Sequence, residues 1–449
     1  MRVDKLFIVA LVAVTGLSCL SGPALASQAS KAPTSHNGPE IQTWKTSNGA
    51  KVVYVYAPQL PMLDVRIVFD AGSARDGDKP GVASMTNEML AQGAGKWDTN
   101  QLAERFDDVG ARYSNSAARD MAVVQLRSLT QQPLLQQALD SLQAVINQPR
   151  FDAAELERLR QQVQVGLENQ QQSPEAMATK VFFKTLYAGH PYALPTIGTK
   201  ESVSKLQVAD LQAFYRRYYV GKNALVAIVG AVQQGDARKL AEKLVGGLPQ
   251  GEHAAALPVP AGLQKAERIQ LPHPSSQTHI LVGQIGMKRG DKDYFALYVG
   301  NHILGGGGFG SRIVDEIREK RGLAYSSYSY FAPMRVEGPF IMGLQTRNEK
   351  RDEALSVLDK TLNKYIKQGP TRKELKHAKR NITGGFALRI DSNRDIVQYI
   401  AMIGFYGLPL DYLNNFNAKV EKVSVAQIKD AFSRRIHPNK LLTVMVGRE

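Results

Sequence analysis

The chain has 449 residues, 43% hydrophobic, 22% charged and 8% aromatic, with no low-complexity tract; this excludes a disordered, collagen-like, coiled-coil or multi-span membrane protein. Its length equals about three domains at ~150 residues each and is ample for a large buried core. The 56 Lys and Arg against 41 Asp and Glu leave a formal charge of +15, which bears on solubility and anionic partners and not on fold.

At the N-terminus, Arg2 and Lys5 precede an apolar run from Leu6 to Leu17, and Pro23-Ala24-Leu25-Ala26 ends in a small-x-small site before Ser27. That is the pattern of a cleaved signal peptide, residues 1–26; the run of about twelve residues is too short for a spanning helix, which needs about 20. The expected mature chain starts near Ser27 with a flexible segment over 27–38, and is periplasmic or secreted without a stable membrane anchor. Cys19, the sole cysteine, falls inside the signal, so neither disulfides nor thiol chemistry are expected of the mature protein.

Alternation and β-branching predict strands over Lys51–Tyr56 and Asp64–Asp70, then over His279–Gly283 and Pro339–Leu344. Two stretches repeat. The segment from Val203 through Leu225-Val-Ala-Ile-Val-Gly230 aligns without a gap to that from Val420 through Leu442-Thr-Val-Met-Val-Gly447, at an offset of 217. Each copy is expected to be a helix followed by a buried strand. Upstream, Glu155–Gly166 matches Glu374–Gly385 at an offset of 219, both in stretches with apolar residues three and four apart. Between the copies, residues 251–264 are rich in Ala, Pro and Gly and predict an exposed linker. The expectation is an α+β fold, a tandem duplication over 39–250 and 265–449. Each copy is a mixed, mainly antiparallel sheet covered by helices.

Several motifs carry a resemblance: Asp70-Ala-Gly-Ser-Ala-Arg-Asp76, Gly81-Val-Ala-Ser-Met-Thr-Asn-Glu-Met-Leu90, His190-Pro-Tyr192, Leu304-Gly-Gly-Gly-Gly-Phe-Gly-Ser-Arg312 and Glu316-Ile-Arg-Glu-Lys-Arg-Gly-Leu-Ala-Tyr325. Over essentially the whole mature chain, the sequence resembles the pitrilysin/insulinase family of zinc peptidases, whose fold is a metallopeptidase clam-shell half. That family carries His-x-x-Glu-His on the first helix of its first domain. Residues i, i+3 and i+4 share a helix face and can present two imidazoles and a carboxylate base to a metal. Here those positions hold Ser84, Asn87 and Glu88, and matching Glu157-Arg-Leu-Arg160 to the family's later helix puts Gly166 at the distal ligand. Glu168, two residues on, belongs to a different face. A hydroxyl is a poor zinc ligand at neutral pH, an amide is no base, and one carboxylate cannot close a tetrahedral site. No two of the eight histidines stand three to five residues apart. No metal is therefore expected in this chain.

The second copy retains Arg318 and Tyr325, seven residues apart, where the resemblance implies an Arg and a Tyr that reach another domain's active site to contact substrate and transition state. A guanidinium and a phenol can polarise a scissile carbonyl or stabilise its oxyanion. The run Gly305, Gly306, Gly307, Gly308 lacks the Lys-Ser/Thr ending of a phosphate loop and is expected to be a flexible loop lining a substrate chamber. Basic residues are dispersed without aromatic interleaving, so nucleic-acid binding is not expected.

A chain without the zinc motif but with the Arg/Tyr pair resembles the non-catalytic subunit of a heterodimeric family member. The expected partner is a zinc-bearing peptidase subunit of similar size, with peptide as substrate; zinc is expected in that partner. The alternatives are a peptide-binding, chaperone-like homodimer and an autonomous peptidase with an unrecognised site. From Lys265 onward there are 30 Lys and Arg and 18 Asp and Glu, or +12, against 26 and 23, or +3, before it. That excess is expected to favour acidic peptides or an acidic partner surface.

Overall fold

The computed structural model describes residues 38–448; the expected signal peptide with Cys19, residues 27–37 and His36 lie outside the described residues. The first half contributes β1 (Gln42–Lys45), β2 (Lys51–Tyr56), β3 (Met62–Phe69), β4 (Arg112–Ala117), β5 (Ala122–Leu129) and β6 (Ala224–Gly230). The second contributes β7 (Glu267–Pro272), β8 (Gln277–Ile285), β9 (Ala324–Phe331), β10 (Pro339–Arg347) and β11 (Leu442–Gly447). The sheet orders are β1-β2-β6-β3-β5-β4 and β7-β11-β8-β10-β9. Without β1 they correspond strand for strand, and in each only the pairing of β2 with β6, or of β7 with β11, is parallel. The duplication is thus a duplication of topology, and each sheet is mixed and mainly antiparallel.

The repeat extends to a helix break that sequence periodicity hides. Each copy has two helices before its last strand, not one: Lys200–Lys205 and Val208–Tyr218, then Tyr412–Lys422 and Val425–Arg435. The chain turns extended at Leu206 (ψ 134°) and at Val423 (ψ 132°), 217 residues apart. Side chains then reset the helix. Asp210 accepts from the Gln207 N–H at 2.8 Å, and Gln427 Oε1 accepts from the Ser424 N–H at 2.8 Å. Such caps satisfy N–H groups that a new helix start would orphan.

Side chains on successive strand residues point to opposite faces, and here both faces are apolar. Along β6, Val226 and Ile228 pack with helices of the first half, whereas Leu225, Ala227 and Val229 meet Val397, Ile400 and Ala401 of the helix Asn393–Tyr406, from the second half. The converse holds for β11. Met445 packs in the second-half core, while Leu442, Val444 and Val446 lie in a cluster with Phe182 and Phe183 of the helix Pro174–Leu186, from the first half. Each half therefore lends a helix to the other's sheet. Gly404 lets the helix approach without displacing Leu225, whose Cδ1 would lie 2.3 Å from a Cβ there.

Residues 251–263 have neither helix nor strand, as expected of a linker. They are nonetheless pinned to the surface. Arg75 Nη1 donates to the Ala255 carbonyl at 2.6 Å, the Ala254 N–H donates to Asn223 Oδ1 at 3.1 Å, and His190 Nε2 lies 2.9 Å from the Pro258 carbonyl oxygen.

Because the two halves share these cores, Phe182→Ala, which empties a fully buried position, should cost about 3–5 kcal/mol and leave one cooperative transition in urea. Separate melting of two halves would contradict the shared core.

Candidate functional site

The first candidate group sits on the helix Val82–Met89, which packs beside the helix Ala153–Gln171. Asp76 fixes where it starts, its carboxylate oxygens accepting from the N–H groups of Gly81 and Ala83 at 2.7 and 2.9 Å. Ser84 and Glu88 are half-buried and Asn87 is fully buried. The Asn87 amide is engaged inside the protein: its nitrogen donates to Tyr219 Oη at 3.2 Å, and its oxygen accepts from Asn115 Nδ2, on β4, at 3.2 Å. Glu88 lies beside the same Asn115 nitrogen, at 3.5 Å. Burial raises the Glu88 carboxyl above the ordinary carboxylate range, and the Asn115 amide opposes this only in part.

Gly166 lies on the neighbouring helix, and a Cβ built there would meet no atom within 4 Å. Room for a side chain remains, but the donor is gone. Glu168 does not substitute for it, being exposed and paired with Lys200 Nζ at 2.6 Å. One carboxylate, one committed amide, one hydroxyl and a glycine do not fit a zinc ion. Among the described residues no group of three His, Cys, Asp or Glu has metal-ligand geometry.

The second group lies in the other half. Arg318 is in the last turn of a π-helical segment, Asp315–Glu319, and Tyr325 is the second residue of β9, an outer strand of its sheet. The guanidinium carbon of Arg318 is 4.7 Å from the centre of the Tyr325 ring and 4.6 Å from that of Phe309. Both rings are exposed, Tyr325 by 83% and Phe309 by 69%. Neighbouring charges neutralise one another. Lys320 pairs with Asp315 and Glu316 at 2.7 Å each, and Arg321 pairs with Glu316 at 2.6 Å. Among the described residues, Arg318 has only Glu319, at 3.5 Å. The result is a cation held between two exposed aromatic rings, a preorganised donor. Phe309 was not among the expected site residues; its place inside the glycine run was the available signal.

The expected flexible loop is in part a packed turn. Gly305 and Gly306 belong to a π-helical turn, His302–Gly306, and a Cβ on Gly305 would lie 2.4 Å from Ser329 Oγ on β9. The glycine there admits the strand. The chain is exposed at Gly306 and again from Gly308, at φ +64°, to Phe309. Gly305, Gly306 and Gly308 border a cavity of about 630 Å³ with Tyr298, Tyr328 and Arg389.

Sequence reasoning also missed a polar lock between the halves. Asp120 Oδ2 accepts from Tyr406 Oη and from the Arg335 N–H, both at 2.8 Å, and Oδ1 accepts from Tyr192 Oη. Asp70 bridges Arg75 at 2.8 Å and Arg335 at 3.2 Å. The His190-Pro-Tyr192 and Asp70–Asp76 motifs thus hold the two halves and the linker together. The residues come from five separated segments, so no local spacing announces them.

A duplicated mixed sheet, a helix with Ser84, Asn87 and Glu88 at the inverted-motif positions in one half and an Arg/Tyr pair with an exposed phenol in the other define a metallopeptidase-type clam-shell half. The model described as "Insulinase (Peptidase family M16)" matches residues 51–200, and "Peptidase M16 inactive domain" matches residues 205–382. A crystal structure of a peptidase M16 inactive domain from Pseudomonas fluorescens is 41% identical, covers 91% of this chain and 98% of that one, and superimposes with a TM-score of 0.89. The chain belongs to peptidase family M16, the insulinase family. A non-peptidase homolog, YmxG of Helicobacter pylori, is 24% identical over 412 residues, 91% of this chain and 94% of the relative. An uncharacterized zinc protease YmxG of Bacillus subtilis is 23% identical over 353 residues, 78% of this chain and 85% of the relative.

Glu88 supplies a pH test. Its native pKa lies above the unfolded value of about 4.3, so the native state loses stability as pH rises from that value through the native one. Glu88→Gln, neutral throughout, should therefore unfold at higher urea than the parent at pH 7.5. The difference should vanish below about pH 4.

Proposed function

We propose that this chain is the non-catalytic subunit of an M16 peptidase heterodimer, exported to the periplasm, where a zinc-bearing subunit of similar size supplies metal and base. The observation that carries the reading is a division of labour between the halves. Ser84, Asn87, Glu88 and Gly166 lack the donors of a metal site, with the Asn87 amide tied into the interior, whereas Tyr325 stands exposed with the half-buried Arg318 guanidinium against its ring. A guanidinium and a phenol presented this way suit a carbonyl whose charge grows during hydrolysis, and the chemistry that generates the nucleophile belongs to the partner. The non-peptidase relative in Helicobacter pylori supports the absence of catalysis by this chain alone. In this reading the first half walls the peptide chamber, and the cavity beside Gly305 and Gly306 is part of its lining.

The test combines this chain with a zinc-bearing M16 subunit from the same cell and follows a quenched peptide. The pair should cleave, and this chain alone should neither cleave nor hold stoichiometric zinc. Arg318→Ala with Tyr325→Phe should lower kcat/KM of the pair roughly 10²- to 10³-fold. Unchanged cleavage would refute the proposed roles, and zinc with cleavage in the isolated chain would refute the non-catalytic assignment. The +12 of the second half should make the association rate fall as salt rises; a stopped-flow rate insensitive to ionic strength would remove the electrostatic part.

A further inference from the structure

The helix Pro174–Leu186 covers the second sheet with one face, and residues along the rest of it border a cavity of about 900 Å³, together with the C-terminal end of Ala153–Gln171 and the segment 188–199. That size suits a drug-sized or short-peptide ligand. Arg119, in the turn between β4 and β5, forms part of its lining. Its guanidinium carbon lies 3.5 Å from the centre of the Phe183 ring, and its Nε donates to the Tyr192 carbonyl at 3.2 Å. These two contacts fix the plane of the side chain. Among the described residues no Asp or Glu pairs with it, and no protein acceptor meets its two terminal nitrogens.

A half-buried cation that no carboxylate pairs with directly is costly, and the nearby Asp120 carboxylate is already taken up by Tyr192, Tyr406 and Arg335. Burial pulls the Arg119 pKa down to about 10, which still leaves it protonated at neutral pH. The other charged residues of the lining are Lys180 and Lys184, one helical turn apart, and a single acid, Glu175. Leu194 and Ile197 supply apolar wall. The cavity thus combines an excess of positive charge with apolar surface.

We infer that this cavity is a binding site for the C-terminal residue of a peptide, whose carboxylate pairs with Arg119 while its apolar side chain lies against Leu194 and Ile197. A carboxylate matches the free edge of a fixed guanidinium in two parallel hydrogen bonds, which an amide cannot do. The apolar wall favours a carboxylate that carries a hydrocarbon group over a small inorganic anion. A peptide terminus and a free fatty acid share that chemistry, and the chain length of the probe separates them.

Titration calorimetry on the purified protein would use Ala-Ala-Leu as the free acid, the same tripeptide as its C-terminal amide, and octanoate. The free acid should bind, and the amide should bind at least ~10-fold more weakly, the loss of a charge-assisted pair. Arg119→Ala should weaken the free acid by a similar factor and abolish discrimination between acid and amide. The exposed Lys180→Glu, which leaves the core untouched, should weaken the acid in a protein of unchanged melting temperature. Equal affinity for acid and amide, or an acid affinity unchanged in both variants, would overturn the site. Binding of octanoate without binding of the tripeptide would overturn the peptide assignment.

Discussion

Neither sheet of this protein can be dry on both faces without the other half. β2, β6 and β11 carry apolar residues on both sides, and one of those sides is covered by a helix that belongs to the opposite copy. The exchange is reciprocal, the helix Pro174–Leu186 going one way and Asn393–Tyr406 the other. Everything else in the molecule is placed by it. Transfer of apolar surface from water is worth about 25 cal/mol per Å², and in this arrangement it is gained only when both copies are folded. A duplicated chain becomes a single body for that reason, and the linker, which could have been a hinge, is instead held by hydrogen bonds to both ends of the first half.

The polar lock follows from the same exchange. Two helices cannot cross between halves without bringing backbone and side-chain polar groups under cover, and buried polar groups need partners. Asp120, Tyr192, Tyr406 and Arg335 satisfy one another at that seam, as do Asp70, Arg75 and Arg335. Motifs that resemble a catalytic family in sequence are there put to structural use. His190-Pro-Tyr192 is a clear case, with both imidazole nitrogens turned to the backbone, one at Tyr192 and one at Pro258.

The candidate sites occupy what the exchange leaves open. Each sheet ends in a polar outer strand, β4 in the first half and β9 in the second, and each lies beside the first helix of its half. Asn115 on β4 meets Asn87 and Glu88; Ser329 on β9 meets Asn301, whose side-chain oxygen it reaches at 2.7 Å. Where the first half has folded its former ligand positions into an internal amide network, the second presents Arg318 between two rings.

The sequence by itself determined the duplication, the interior strands other than β5, and the loss of zinc donors. Interior strands such as β6 and β11 are continuous apolar runs, and a ligand set is a matter of residue type at fixed helical spacing. It could not reveal β4 or β9, whose sequences Arg-Tyr-Ser-Asn-Ser-Ala and Ala-Tyr-Ser-Ser-Tyr-Ser-Tyr-Phe are too polar to stand out, because an outer strand buries less of itself. Nor could it reveal the breaks at Leu206 and Val423, across which the apolar period continues. Tertiary structure alone decided which helix covers which sheet, that Phe309 lies against Arg318, and that among the described residues no carboxylate pairs directly with Arg119 beside its cavity. Those are relations between residues far apart in the chain, and an apolar stripe or a lone charge specifies that a partner is needed without specifying which.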